Sequence, residues 1–441
     1  MEEMEEENQP DVKDLSIERI LHLISYTSWL LGVGAAHPQK CSKAKTIIIR
    51  IFYVILCSIN IIMICIVIDL SRSMAFCSKV NAKQEKFCIF QNDVIYYMFG
   101  LNSAMTYIST YCYIFHGIKQ YNKWPELMDR LKELDQKIRK EISMDDQSIK
   151  IVATLAFFVT FFCFSISFSL YFFAYSMSNY LFITIEAIML AQSLFNSFVF
   201  DIVVYMLYCR FQTINKLIGQ LDTLSDVRRI VFKIRRTREL HTDVCDLASV
   251  VNDIYGLQLL FCLMCCFIKT VITLFHAYYS IKTQDPHYFY LVAVYICIVY
   301  VTQFYLICLV CTLAREESIR TGKIIYEIIL KCKPENFDKS DANPSSLEMQ
   351  PLLEDLGGKQ SFSRSSSHNL SYADVENLLC RYLDRECVTK EINDFSIQLQ
   401  QNRIAFTACN FFEINNSLFK DFVGLIFTYL FIFVQFYPPP N

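Results

Sequence analysis

The most telling polar side chain in this sequence stands almost at its end. Gln435 interrupts an apolar run that reads Thr428-Tyr429-Leu430-Phe431-Ile432-Phe433-Val434-Gln435-Phe436. A lone amide in a greasy helix needs partners, either on a neighbouring helix or in water lining a pore. At 3.6 residues per turn, Thr428, Ile432 and Gln435 share one face, and Tyr429, Phe433 and Phe436 the adjacent face. Around an axis shared by identical subunits, such amides would form a polar ring flanked by hydrophobic residues, which is how a gate can be made. No catalytic constellation competes with this feature. The sequence has no Gly-rich phosphate loop, no HExxH and no GxSxG, and its seven histidines are scattered. It reads as a non-enzyme that needs no cofactor and no metal.

The 19 cysteines point the same way. Most lie inside apolar blocks, where a free thiol behaves as a small hydrophobe. Cys262 and Cys265 have CxxC spacing but lack a second pair or a nearby histidine, so the pattern does not make a metal or redox site. Cys77 and Cys88 differ, because both fall in the sizeable 69–89 loop, where a disulfide is expected.

The elements that would carry these residues follow from composition. The chain is 54% hydrophobic and only 19% charged, too little charge to cover a soluble protein of 441 residues. A bilayer core of about 30 Å takes roughly 20 apolar residues per helix. Stretches of that order occur at 46–68, 90–115, 150–177, 180–209, 254–282, 288–314 and 419–436, predicting an all-α polytopic membrane protein with seven transmembrane helices. The shorter stretch 17–36 fits an interfacial or re-entrant helix. The acidic MEEMEEE start has no basic n-region, so no cleaved signal peptide is expected. A net charge of −3 gives no general attraction to nucleic acid.

Lysines and arginines crowd the 116–149 and 210–253 loops and follow the sixth span at Arg315, Arg320 and Lys323. By the positive-inside rule these face the cytosol, with the N-terminus cytosolic and the C-terminus extracellular. The 69–89 loop, with Arg72, Lys79, Lys83 and Lys86, is the exception. The organisation expected is a cytosolic N-terminal segment (1–45), six spans (46–314), a cytosolic loop (315–402) and a last-span segment with a short outer tail (403–441). Within the loop, 331–373 has a polar, serine-rich composition that predicts disorder, and amphipathic runs resume from about Tyr372 and around 395–406.

The Thr-Tyr, five hydrophobic residues, Gln-Phe pattern of 428–436 resembles the signature in the last helix of insect gustatory receptors, within the insect chemoreceptor superfamily. Four fixed identities at fixed spacing arise by chance on the order of once in a hundred thousand positions. The approach FTACNFFEINNSLF (406–419) resembles that family too, as does Trp29-Leu30-Leu31-Gly32 more weakly. The segment around His241 and 252–258 is loosely similar to the fructose-receptor-like branch. The resemblance implies a homo- or heterotetramer in the plasma membrane, gated by a small-molecule tastant (a sugar or a bitter compound) and passing Na, K and Ca ions. It places Gln435 at the gate with Phe436 beside it, and Thr428 and Tyr429 supporting the helix; Ile432 joins them by its facing alone.

The resemblance also implies a ligand pocket in the extracellular half of one subunit. Glu186, Tyr97, Tyr175, His276 and Tyr290 are the candidates there, since aromatic platforms with a few polar groups suit such ligands. Glu186 stands out because an ionisable residue within a span is costly. A structural ion pair is expected between Lys269 and Asp201. Two rival classes remain: a G-protein-coupled receptor, which would need a cytosolic C-terminus, and a secondary transporter, which the scarcity of Gly and Pro (10 each) disfavours.

Overall fold

In the computed structural model the described residues are 86–120, 122–144, 146–174, 180–220, 227–283, 287–332 and 372–436, with single helical positions at 27 and between 47 and 69. Among the described residues eight helices run in order: α1 (Lys86–Lys119), α2 (Lys123–Arg139), α3 (Gln147–Ala174), α4 (Tyr180–Gly219), α5 (Val227–Thr283), α6 (His287–Cys332), α7 (Tyr372–Gln401) and, after the strands β1 (Thr407–Ala408) and β2 (Phe412–Glu413), α8 (Asn416–Phe436). The architecture is nearly all helical.

Five helices among the described residues are long and apolar enough to cross a membrane: Gln147–Leu170, Ala187–Gly219, Arg229–Tyr278, Tyr290–Ile328 and Asn416–Gln435. They differ in burial in a way that fixes the bundle's order. The apolar window of α4 is 83% buried, whereas those of α3 and α8 are each 11% buried. So α4 is the central post, packed on α6, α3 and α5, while α3 and α8 ride outside. The expected spans 46–68 and 90–115 fall on sparsely described positions and on α1, respectively. The segment 17–36 apart from Thr27, most of the 331–373 insertion, and the tail beyond Phe436 lie outside the described residues.

Several helices are longer than any bilayer needs. At about 1.5 Å per residue, the 57 residues of α5 and 46 of α6 reach well past a 30 Å apolar layer. The half of α5 around 228–246 is dense in charge and cannot sit in hydrocarbon, so it projects beyond the membrane, where α2 and α7 pack against it. In α2 the buried residues are Trp124, Leu127, Leu131, Leu134 and Ile138, a three-four alternation that puts these five side chains on one face, and α2 packs on α5.

The heart of this extra-membrane bundle is Arg210, 1% exposed. Its Nε and Nη2 donate to the two carboxylate oxygens of Asp135 at 2.6 and 2.7 Å. Its Nη1 lies 3.6 Å from Asp146, which Arg139 also contacts. Burial pushes the Asp135 carboxyl upward and the Arg210 guanidinium opposes it. α7 docks through Val388, Ile392 and Phe395, reinforced by Arg235 and Arg238 on Glu391. Under it His241 is fully buried between the rings of Phe211 and Phe395, 5.4 and 5.8 Å away.

The sequence predicts helix around 395–406, but α7 ends at Gln401 and the chain turns into a hairpin. Cys409 and Asn410 adopt φ of 52° and 60°, and Phe411 N–H bonds Ala408 C=O at 3.0 Å. Two successive positive φ values with that bond make a type I′ turn, which no amphipathic pattern can foresee.

Two outcomes are expected. Arg210→Met leaves the largely buried Asp135 carboxylate without its two-pronged partner, while Asp146 keeps Arg139, and should cost about 3 kcal/mol, read as loss of monodisperse protein or a lowered unfolding temperature. The second concerns His241, whose pKa burial lowers to about 4. Above the ordinary histidine value of about 6.5 neither folded nor unfolded chain is protonated there; as pH falls below it, only the unfolded chain gains the proton. Stability should fall by about 2 kcal/mol between pH 6.5 and 5, and His241→Phe should remove that increment when the two proteins' thermal unfolding is compared.

Candidate functional site

α8 is held on one side only. Phe419, Phe422, Ile426, Tyr429 and Phe433 follow a three-four spacing and form its inward stripe. Phe422 stacks on Phe304 of α6 with ring centroids 4.0 Å apart. Tyr429 meets Phe267 of α5 at 5.8 Å, and Phe433 meets Phe275 of α5 at 4.9 Å. The opposite face, with Leu425, Phe427, Phe431 and Ile432, is exposed in the single chain.

Gln435 lies on that exposed side. No side-chain hydrogen bond to the amide occurs among the described residues. Thr428 shares the exposed side and returns its hydroxyl to Gly424 C=O at 2.9 Å. Ile432 is 39% exposed, and Tyr429 divides its surface between the Phe267 contact and the outside. Phe436 ends the helix, its side chain outside the described residues. The structure therefore separates the four whose side chains are described: Tyr429 belongs to the packing stripe, while Thr428, Ile432 and Gln435 look outward.

The base of α8 is pinned more firmly than its top. Asn415 caps it by accepting from Leu418 N–H at 3.0 Å. Asn416 N–H donates to Thr312 Oγ1 of α6 at 2.9 Å, and Arg315 of α6 pairs with Glu413 of β2 at 2.7 Å. The hairpin itself is seated on α5. Asn252 donates from Nδ2 to Thr407 Oγ1 at 3.0 Å and accepts from Thr407 N–H at 2.8 Å. One turn along, Gly256 lets the hairpin backbone approach: a Cβ there would stand 3.3 Å from the Cys409 nitrogen.

Of the candidate ligand residues, His276 is half-buried on α5 beside Phe275, and Tyr290 is partly exposed near the start of α6. Tyr97 and Glu186 lie on the helical backbones of α1 and α4, their side chains outside the described set. Tyr175 lies outside it altogether, as does Cys77; Cys88 lies in the first turn of α1.

One expectation is corrected. Lys269 and Asp201 do not form an ion pair among the described residues. Lys269 Nζ instead lies 5.5 Å from the ring centroid of Tyr300 on α6, and Asp201 keeps a buried carboxylate oxygen without a partner. The aromatic face supplies electrostatic compensation from a side chain with no charge. Sequence reasoning also missed a polar hub at mid-bundle. The Gln303 amide nitrogen of α6 lies within 3.3 Å of Ser193 Oγ of α4 and of Cys262 Sγ of α5, and it donates to Ser197. The i, i+4 serines on α4 facing a mid-span glutamine were the available signal.

Residues 21–340 and 369–438 match the family described as 7tm chemosensory receptor. The chain belongs to that family. The fold of this chemoreceptor is also that of solved insect receptors. The insect olfactory receptor OR5 from Machilis hrabei in complex with eugenol superposes with a TM-score of 0.58 at 12% identity, covering 96% of this chain and 99% of that one. A second structure of the same receptor gives 0.54, with the same identity and coverage. No curated protein sequence matches. Membership of this receptor family makes the protein a chemoreceptor and not an enzyme, and its long apolar helices make it a membrane protein.

The seating of the hairpin is directly testable in this chemoreceptor. Gly256→Leu should force β1 off α5 and cost about 1–3 kcal/mol, with faster hydrogen exchange over 407–413 than in the parent.

Proposed function

We propose that this chemoreceptor is a gustatory receptor acting as a tastant-gated, non-selective cation channel in the plasma membrane of a chemosensory neuron. The observation that carries the reading is the outward placement of Gln435, on a helix packed against its own subunit by the opposite stripe. An amide at the end of such a helix needs water or another subunit. Four copies about a common axis supply both, so we assign Gln435 to the gate, with Phe436 beside it, Ile432 and Thr428 on the same outward side, and Tyr429 fixing the helix to α5. The tetramer is homo- or heteromeric, and Na, K and Ca ions are the permeant species. Seven spans, a cytosolic N-terminus and an extracellular C-terminus complete the arrangement.

We assign the ligand to the outer half of the bundle near Glu186, Tyr97, Tyr175, His276 and Tyr290, and a disulfide to Cys77 and Cys88 of the outer loop. A sugar is the preferred class. Buried polar groups in the middle of the bundle, among them Ser109, Asn196, Thr270 and Gln303, give it a hydrogen-bonding interior that suits a polyhydroxyl ligand. An aromatic odorant is the second reading, favoured by the eugenol held in the similarly folded olfactory receptor.

Expression of the chain alone in cells without other taste receptors, with current recorded against panels of sugars, bitter compounds and volatile phenols, separates these readings. Sugar-evoked inward current is the expected result. Gln435→Ala should alter permeation and rectification without reducing surface expression; unchanged conduction in the variant rules out the gate assignment. A tag placed after Pro440 should be reached by antibody on intact cells, and a tag seen only after permeabilisation would favour the G-protein-coupled alternative.

A further inference from the structure

The cytosol-directed end of the bundle contains a second feature with the character of a binding site. A cleft of about 550 Å³ opens between α6, α7 and the segment leading into β1. Its volume lies within the roughly 300–1,000 Å³ typical of small-ligand sites. Arg315, Gly322 and Tyr326 line it from α6, Gln400 from α7, and Arg403 and Glu413 from the connection to α8. It sits at the level where apolar helix gives way to charge. Arg315 follows directly on the apolar run of α6, and the apolar α8 begins three residues after Glu413.

Three observations bear on what it holds. Arg403 is exposed, and no ion pair to it occurs among the described residues. Among the described residues Arg315 pairs with Glu413 at 2.7 Å, with side chains 39% and 33% exposed, and the Glu413 oxygen in the pair makes no hydrogen bond. A partly exposed pair without a hydrogen bond contributes little and yields readily to a stronger anion. Gly322 stands in the interior of α6, where glycine costs about 1 kcal/mol relative to alanine. No atom lies within 4 Å of where its Cβ would be. Close packing within the subunit therefore does not call for the glycine; what it leaves is room in the cleft.

We propose that this cleft binds a phosphate monoester, held by Arg403 and by Arg315 in exchange for Glu413. Guanidinium forks match phosphate oxygens, and a group carrying close to two charges outcompetes a single carboxylate for Arg315. The exchange has a mechanical consequence. Glu413 is two residues from Asn415, the cap of α8, so filling the cleft frees β2 from α6 at the base of the helix that carries Gln435. The phosphate comes either from the headgroup of a phosphorylated inner-leaflet lipid or from a soluble phosphorylated metabolite.

The test uses the full chain in phosphatidylcholine nanodiscs, with radiolabelled inositol trisphosphate as soluble probe. A second arm adds phosphatidylinositol bisphosphate to the discs and reads the thermal unfolding temperature. Discs carry lipid in both leaflets, so neither arm depends on the orientation or the channel activity proposed above. Saturable binding of the probe is expected, weakened about tenfold by Arg403→Gln. Glu413→Gln should tighten it by releasing Arg315, a gain that a purely structural role for the pair does not give. Gly322→Leu should block it while leaving the unfolding temperature of the empty protein near that of the parent. Stabilisation by the lipid beyond that by the soluble probe assigns the ligand to the membrane; the reverse assigns it to a metabolite. Absence of saturable binding in both arms, or an affinity indifferent to Arg403→Gln and Glu413→Gln, overturns the proposal.

Discussion

Everything distinctive about this molecule follows from a helix that is fastened along one side. α8 presses Phe422, Tyr429 and Phe433 against α5 and α6 and leaves its other face exposed among the described residues. Aromatic side chains suit that task because each buries a large area and fixes orientation with few rotatable bonds. A helix secured by a stripe and free on the opposite face can tilt or turn without breaking backbone bonds, provided its base is anchored. The anchor is present in the Asn415 cap, the Thr312 bond and the hairpin seated on Asn252 and Gly256.

That anchor in turn needs α5 and α6 to be rigid beyond the apolar layer. Helices of 57 and 46 residues would fray in water if left alone. They are braced by α2 and α7 and by the buried charge cluster around Arg210. The cluster is an unusual place to find an arginine. Taking a guanidinium and two carboxylates out of water is costly, and the two-pronged geometry on Asp135 is what offsets it. Such a cluster tolerates few alternative packings, so it holds α2 and α4 in one arrangement.

Much of this was legible in the sequence, and what was legible shares a physical basis. Apolar runs of membrane length mark α3 to α6 and α8 because hydrocarbon imposes a length and a composition together. The facing of Tyr429 and Phe433 against that of Gln435 follows from helical periodicity alone. The I′ turn at Cys409 and Asn410 was hidden, because only Asn410 is of a type that favours positive φ, no glycine follows it and the surrounding pattern still looks amphipathic. The absence of a Lys269–Asp201 pair was equally hidden. Both residues sit in spans, and charge counting joins them, but the approach of Tyr300 depends on how α5 and α6 pack, which no one-dimensional pattern encodes. The cleft at Arg315 and Arg403 lies between segments nearly ninety positions apart in the chain, and its existence depends on where α7 docks.

The packing also bears on how a ligand could move the last helix. His276 and Phe275 are adjacent on α5, with ring centroids 6.3 Å apart, and Phe275 meets Phe433 at 4.9 Å, two residues before Gln435. Because α8 packs chiefly on α5 and α6, a change in the relation of those two helices is a change in the surface on which α8 rests. Close-packed aromatic contacts do not stretch; they hold one arrangement or shift to another. A ligand held nearer one arrangement than the other therefore biases α8 between two positions, and it does so in proportion to the difference in affinity and not to its overall tightness. Seen from the far end, the Arg315–Glu413 pair acts on the same helix through its base, so the two ends of α8 offer two independent places from which its position can be biased.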